Sequence, residues 1–266
     1  MTTVKVSRPA DHIMQVALNR PERLNALNFD IVGDLYDALD QVAADDDCKV
    51  VILTGAGRGF CAGLDLNGYG TLPTPGSHRH SPAGRTHQAF IANLTQHIRS
   101  TPQIVIAAVN GPAFGGGLSL ALACDLRIAA ESAQFCAAFI KTGLTGTDIG
   151  VTYLLPRLIG AARAFDMIVT GRTIDAVEAE RVGLVSRVVA DEALSEETLA
   201  LAQLVAGYTT YGLRNTKEVM WLNLDATNMS AAIALENRNQ EMGGRSSEVQ
   251  HYMANYMEPF RKDRDA

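Results

Sequence analysis

Short apolar segments recur along the first half of the chain. Most are apolar at consecutive positions, which is the pattern of strands in a sheet covered on both faces. Four strands are predicted in this way, HIMQVALN (12–19), KVVILTG (49–55), QIVIAAV (103–109) and LRIAA (126–130). Between the first two, residues 28–44 carry apolar side chains at helical spacing, with Asn28 placed as the N-cap.

The pattern changes near residue 150 and is almost entirely helical from there on. Asp175 and Glu178 have the spacing of a capping box at the start of a short helix, and VSRVV (185–189) predicts one further strand. Two or three amphipathic helices are predicted over residues 191–266. We therefore expect an α/β fold with a core at 1–190 and a helical C-terminal region at 191–266.

Composition and charge exclude several classes of protein. Hydrophobic residues make up 47% of the 266 residues and charged residues 20%, which is typical of a folded globular protein. The net charge of −6 argues against a nucleic-acid or anionic-membrane partner. No apolar stretch reaches the roughly 18–20 residues of a membrane span. The first residues contain no apolar signal core, and the four cysteines lack metal-ligand spacing. We expect a cytoplasmic protein without a metal.

Three consecutive glycines, Gly115 to Gly117, lie in NGPAFGGGLSLALACD (110–125) between two apolar runs. Glycine is costly inside a helix or strand, because it loses the most backbone entropy on ordering. The triplet therefore predicts that another group approaches the backbone closely at these positions.

Two interpretations of the glycine-bearing segments fail on their context. GRGFCA (57–62) matches a dinucleotide-binding fingerprint after a strand, but no long helix follows it and no acidic residue has the required spacing. GLSLA (117–121) is similar to the nucleophile elbow of serine hydrolases, but Ser119 falls about one turn inside a predicted helix.

Backbone N–H groups supply a third interpretation. The free N–H groups at a helix N-terminus attract negative charge. Two of them directed at one carbonyl oxygen stabilise the enolate or oxyanion that develops there. Glycine allows a substrate to come within hydrogen-bonding distance of the backbone, and the glycine-bearing turn GFCAGLD (59–65) is the candidate source of the second N–H donor.

Several segments together resemble the crotonase, or enoyl-CoA hydratase/isomerase, superfamily over nearly the whole chain. They are NRPERLNAL (19–27), VVILTGAGRGFCAGLDL (50–66), AAVNGPAFGGGLSLALACDLRIA (107–129), LPRLIGAARAFDMIVTGRTIDAVEAERVGLVSRVV (155–189) and NTKEVM (215–220). The resemblance implies a spiral of ββα units followed by a helical C-terminal region that supports homotrimers, often paired into hexamers.

The resemblance also implies the ligand and its contacts. The substrate is expected to be an acyl-CoA thioester, as in fatty acid metabolism, with coenzyme A as part of the substrate and no separate cofactor. The oxyanion hole is assigned to the backbone N–H groups of Ala62 and Gly116. Positions that the family uses to line the CoA adenine and pantetheine, mostly through the main chain, are Arg23, Leu24, Ala62, Gly63, Leu64 and Asp65.

Two carboxylates that the resemblance would supply are missing. The hydratases of the family orient water with two glutamates, whose positions are occupied here by Ser119 and Phe139. Both positions are expected to contact the substrate, but neither side chain is a proton-transferring carboxylate. Hydration by two carboxylates is therefore not expected.

Asp148 is the remaining carboxylate in the right region, eight residues before Pro156. Several isomerases of the family carry an Asp at the corresponding offset, and in the family's aryl-CoA dehalogenase that Asp is a nucleophile. A structural alternative is that Asp148 caps a helix beginning at Ile149.

The resulting hypothesis is an enzyme that isomerises a double bond, with Asp148 as the acid and base. Three alternatives stay open: an enoyl-CoA hydratase with atypical residues, a non-catalytic acyl-CoA-binding protein, and a CoA-ester hydrolase or dehalogenase with Asp148 as nucleophile. Residues 67–87, rich in Gly and Pro, predict a lid over the acyl end of the pocket.

Overall fold

Nine strands are found in the part of the chain that the computed structural model describes, residues 2–71 and 87–262. They are β1 (Val4–Ala10), β2 (Ile13–Leu18), β3 (Val50–Gly55), β4 (Ile104–Val109), β5 (Ala113–Phe114), β6 (Leu126–Ala130), β7 (Gln134–Cys136), β8 (Thr173–Asp175) and β9 (Arg187–Val189). The five predicted strands correspond to β2, β3, β4, β6 and β9. Sequence reasoning missed β1, because most of its side chains are exposed or half-buried and only Val4 is buried.

A six-stranded sheet forms the centre of the fold, in the order β1-β2-β3-β4-β6-β9. β1 pairs with β2 in antiparallel fashion, and the other neighbours are parallel. β4 is buried along its whole length, as expected for a central parallel strand covered on both faces. A smaller sheet has the order β5-β7-β8, and its strand β5 directly precedes the glycine triplet in sequence.

Ten α-helices are described within the same ranges. They are α1 (Phe29–Ala43), α2 (His87–Ser100), α3 (Gly116–Ala123), α4 (Val151–Ile159), α5 (Ala161–Thr170), α6 (Ala176–Arg181), α7 (Leu194–Ala206), α8 (Thr210–Asn223), α9 (Met229–Gly243) and α10 (Ser247–Lys262). Four helices, α7 to α10, lie within residues 191–262, where two or three were predicted over 191–266, so that part of the prediction is wrong. An amphipathic pattern alone does not mark the short breaks between successive helices.

Predicted helix starts are confirmed at two side-chain caps. The Asn28 side chain accepts a hydrogen bond from the Ile31 N–H (3.1 Å) at the start of α1. The Asp175 side chain accepts one from the Glu178 N–H (2.8 Å) at the start of α6. The Glu178 carboxylate pairs with Arg172.

The chain divides into two compact units, Met1–Gln203 and Leu204–Ala266. The first contains both sheets, and the second contains α8, α9 and α10. Inside the second unit, the Glu248 carboxylate accepts hydrogen bonds from the N–H groups of Thr210 (2.6 Å) and Tyr211 (3.2 Å). The predicted boundary at residue 190 and the role of residues 191–266 in oligomers stay predictions.

The predicted lid at 67–87 falls mainly on residues 72–86, which lie outside the described residues.

All four cysteines are buried and none forms a disulfide, and burial raises the pKa of the Cys61 thiol to about 12.

Candidate active site

A cavity of about 910 Å³ in the first unit brings together the two glycine-bearing turns and Asp148. Gly63 and Leu64 come from one turn, and Gly115 and Gly116 come from the other. The opposite wall is formed by residues between β7 and α4, including Phe139 and Asp148. Three segments far apart in sequence therefore share one pocket.

The turn at residues 61–64 is held in place by main-chain hydrogen bonds to two neighbouring segments. The Leu27 N–H donates to the Gly63 carbonyl (2.7 Å), and the Phe114 N–H donates to the Cys61 carbonyl (2.9 Å). Gly63 has a φ of +93°, and a Cβ on it would lie 2.7 Å from the Phe114 carbonyl oxygen. Only glycine fits this position, because both the backbone conformation and the contact exclude a side chain.

The second turn places Gly116 at the first position of α3. The Gly115 N–H donates to the Cys136 carbonyl (2.9 Å), and Gly115 has a φ of +50°. The first N–H groups of a helix have no partner within the helix. The N–H of Gly116 therefore has no partner within α3 and lies at the cavity wall, and its role as a donor to substrate stays a prediction.

The glycine triplet also serves the packing of the two turns against each other. A Cβ on Gly117 would lie 2.0 Å from the Cys61 carbonyl oxygen. A Cβ on Gly116 would meet Leu27 Cδ1 at 2.9 Å and Ile149 Cδ1 at 3.2 Å. Close approach at the triplet was predicted, but at Gly117 the approaching group is the backbone of the first turn.

The structure corrects the predicted second donor of the oxyanion hole. The Ala62 N–H donates to the Leu24 carbonyl (2.9 Å), so it is already used. The Leu64 N–H, two residues later, donates to no acceptor within residues 2–71 and 87–262. Leu64 forms a parallel bridge with Leu27, in which the donors are the N–H groups of Leu27 and Asp65. This leaves the Leu64 N–H as the candidate donor.

Asp148 lies on the same cavity, and the described residues donate hydrogen bonds to only one of its carboxylate oxygens. Oδ1 accepts hydrogen bonds from the Ile149 N–H (2.7 Å) and from Gln88 Nε2. Burial raises the pKa of Asp148, and these two hydrogen bonds partly offset the rise. A carboxyl whose pKa is raised toward neutrality is a better general acid and base near pH 7.

The backbone around Asp148 differs from a simple helix start. Helix α4 begins at Val151, with Gly150 in the N-cap position and without a side-chain cap. The alternative that Asp148 caps a helix beginning at Ile149 is therefore wrong. Ile149 has a φ of +46°, which β-branched residues rarely adopt. Its buried side chain packs against Gly116, which places Asp148 beside the second turn.

The other predicted contact residues divide into two groups. Phe139 lines the cavity and Ala62, Gly63 and Leu64 do so as well. Those that do not line this cavity are Arg23, Leu24, Asp65 and Ser119. The Ser119 hydroxyl is fully buried and has no hydrogen-bond partner among the described residues, which fits a packing role in α3.

Asp65 has a structural role at the first turn. Its carboxylate pairs with Arg20 Nη2 (3.0 Å) and accepts a hydrogen bond from the Asn67 N–H (3.1 Å). Burial by itself would raise its pKa, but the Arg20 hydrogen bond and the Asn67 N–H lower it below its ordinary value. Arg20 Nη1 also donates to the Ala26 carbonyl (2.6 Å), which ties the loop before α1 to the turn.

Sequence reasoning missed two groups at the cavity, the Leu64 N–H and the Gln88 side chain. Gln88 belongs to no motif, so only its position in α2 identifies it. Within the described residues, no group of three or more His, Cys, Asp and Glu side chains is arranged to hold a metal ion. No helix in the same ranges is long and apolar enough to cross a bilayer.

Comparisons with known proteins agree on one family. Residues 9–263 match the family profile described as enoyl-CoA hydratase/isomerase. The chain is 45% identical over 240 residues to a probable enoyl-CoA hydratase of Mycobacterium tuberculosis, covering 90% of this chain and 84% of the relative. It is 39% identical to the 1,2-epoxyphenylacetyl-CoA isomerase of Escherichia coli, covering 92% of both chains.

A solved structure described as a monofunctional enoyl CoA isomerase from M. smegmatis is similar in fold. Its TM-score is 0.74 at 42% identity, and the match covers 88% of this chain and 99% of that chain. A structure of an enoyl-CoA hydratase from Bacillus anthracis gives a TM-score of 0.86 at 32% identity, covering 97% and 96%. The predicted crotonase fold is confirmed by these similarities.

Proposed function

Since the chain belongs to the enoyl-CoA hydratase/isomerase family, we propose that it is an enoyl-CoA isomerase. It would move a double bond within the acyl group of a CoA thioester, with Asp148 as the single proton-transferring group. Membership of this enzyme family rests on the family match and on relatives named as hydratases and isomerases.

One observation carries the proposal. Asp148 is the only carboxylate among the described residues that line the cavity. Residues 66–124, which include the segment outside the structure, contain no Asp or Glu at all. A double-bond shift needs one group that removes a proton and returns it, whereas hydration by the family's route needs two carboxylates to orient a water.

The proton transfers follow from this arrangement. With a 3-enoyl thioester, Asp148 Oδ2 takes a proton from the α carbon, and the C–H electron pair moves into the thioester carbonyl to form a dienolate. The protonated carboxyl then returns a proton to the γ carbon, and the double bond ends between the α and β carbons. Asp148 is again ionised, so no proton is gained or lost overall.

The dienolate oxygen requires donors where its negative charge develops. The N–H groups of Leu64 and Gly116 belong to two turns in contact, because Gly63 Cα lies 3.8 Å from the position of a Gly116 Cβ. Both turns are fixed by main-chain hydrogen bonds, so the donors need little rearrangement during the reaction. A preorganised donor of this kind contributes about 10²–10³ in rate.

Deuterium incorporation tests the proposal. The protein is incubated with trans-3-hexenoyl-CoA in D₂O, and the product is analysed by NMR. We expect a 2-enoyl thioester, with deuterium at the γ carbon in those molecules in which the protonated Asp148 carboxyl exchanges with D₂O before it returns the proton. Asp148→Asn should reduce the rate by about 10²–10⁴, while Asp11→Asn, an exposed carboxylate that does not line the cavity, should leave it unchanged.

Three results would contradict the proposal. Binding of the thioester without exchange or turnover would indicate a non-catalytic acyl-CoA-binding protein. A hydrated product that survives Asp148→Asn would indicate a hydratase with a different catalytic group. Release of free coenzyme A, lost in Asp148→Asn, would indicate a hydrolase with Asp148 as the nucleophile.

A further inference from the structure

Gln88 lies in the first turn of α2 and reaches the cavity beside Asp148. We propose that Gln88 is a positioning residue for Asp148, whose amide holds Oδ1 so that Oδ2 is left to transfer the proton. The inference rests on the proposed function, because it assigns a role to Gln88 in that reaction.

The two carboxylate oxygens of Asp148 differ in the hydrogen bonds they accept. Oδ1 receives the Gln88 Nε2–H and the Ile149 N–H, while Oδ2 receives no donor from the described residues. An ionised carboxylate only accepts hydrogen bonds, so Gln88 must present its NH₂ group to it. The two oxygens therefore have different roles, one as an anchor and one as the reacting atom.

Among residues 2–71 and 87–262, Gln88 supplies the only side-chain hydrogen bond to Asp148 from a different element of the fold. The Ile149 N–H is on the adjacent residue and moves with Asp148. Ile149 has a φ of +46°, a strained conformation for a β-branched residue. A strained conformation persists only where the surroundings hold it, and the bond from α2, 60 residues away in sequence, fixes the carboxylate relative to the rest of the cavity.

The chemistry of an amide suits this position better than that of a cation. A Lys or Arg at hydrogen-bonding distance would strongly favour the ionised carboxylate and weaken it as a base. A neutral amide orients the carboxylate with a smaller effect, and burial still keeps the pKa of Asp148 above its ordinary value. The other titratable groups on the described cavity wall are Lys141 and Tyr69, and neither contributes to the shift.

Kinetics of Gln88→Leu and Gln88→Ala provide the first test, with Gln96→Leu as the control. Gln96 is an exposed residue of the same helix that does not line the cavity. We expect kcat for isomerisation to fall about tenfold in both Gln88 variants, with little change in KM, because a hydrogen bond to a charged group is lost. The acid limb of the pH profile should move to higher pH, since the base must be ionised and Gln88 lowers its pKa. Gln96→Leu should change neither.

A second test, a titration of the free protein, does not depend on turnover of a substrate. The ¹³Cγ signal of Asp148 is identified by its loss in Asp148→Asn and followed from pH 3 to pH 9. A higher pKa in Gln88→Leu than in the wild type supports the inference, and an unchanged pKa together with an unchanged kcat overturns it. If the wild type does not isomerise enoyl thioesters, the proposed function fails, and the titration still decides whether Gln88 governs Asp148.

Discussion

The double turn, residues 61–64 and 114–117, and the Asp148 segment, residues 142–150, line the same cavity but are built differently. The double turn is mostly buried, is joined by main-chain hydrogen bonds, and excludes side chains at Gly63 and Gly117. The Asp148 segment is mostly exposed, and its carboxylate is held by one side chain of α2. A site built from backbone N–H groups therefore restricts the size of the side chains around it. A site built from a side chain restricts which residue can occupy that position.

The largest effect is expected from removing one backbone donor. Replacing the Leu64 amide by an ester, through incorporation of the corresponding α-hydroxy acid, deletes the N–H and keeps the side chain. We expect kcat to fall by about 10²–10³. The same replacement at Ala62 removes the hydrogen bond to Leu24, so it should lower the melting temperature and leave kcat within a few-fold. The reverse result would restore Ala62 as the donor.

The next largest effect is expected from alanine substitutions at one glycine of each region. Gly117→Ala places Cβ against the Cys61 carbonyl oxygen, so the free energy of unfolding should fall by about 3 kcal/mol or more. Gly143→Ala meets no atom within 4 Å but keeps a φ of +81°, and should cost about 1 kcal/mol. Urea unfolding of both variants measures the difference. Equal losses of unfolding free energy in the two variants would show that the double turn is not packed more tightly around its glycine than the Asp148 segment.

A smaller effect is expected at the ion pair that anchors the first turn. Arg20→Ala leaves the buried Asp65 carboxylate without its partner and should reduce the free energy of unfolding by about 2 kcal/mol at pH 7. Because the folded pKa of Asp65 lies below its unfolded value, its stabilising effect is present above the unfolded pKa and is lost as the pH falls through the folded pKa.

The pH dependence checks this assignment. Melting temperatures of wild type and Arg20→Ala should converge as the pH falls below about 4, apart from the lost hydrogen bond to the Ala26 carbonyl. Arg181→Ala, at an exposed ion pair with Glu178, should cost less than about 0.5 kcal/mol at any pH. A difference at Arg20 that does not depend on pH would mean that Asp65 is not the group involved.

The two regions also differ in how far the sequence predicts them. The central strands, the Asn28 cap and the close approach at the glycine triplet follow from apolar runs, capping residues and glycines, which act locally. The choice between the Ala62 and Leu64 N–H groups depends on which of them meets the carbonyl of Leu24, in a loop that precedes α1. The contact between Gln88 and Asp148 joins α2 to the segment before α4, and no local pattern encodes it.

The central claim is that a single carboxylate both removes and returns the proton. The faces of the substrate on which the two transfers take place test this claim most directly. A 3-enoyl thioester carrying deuterium stereospecifically at the α carbon reveals which α hydrogen is removed. The configuration at the γ carbon, labelled either by that deuterium or by deuterium that the Asp148 carboxyl has exchanged with D₂O, reveals the face on which this carbon is protonated. One carboxylate on one side of the dienolate predicts removal and delivery on the same face. Delivery on the opposite face would require a second acid and would contradict the assignment of both steps to Asp148.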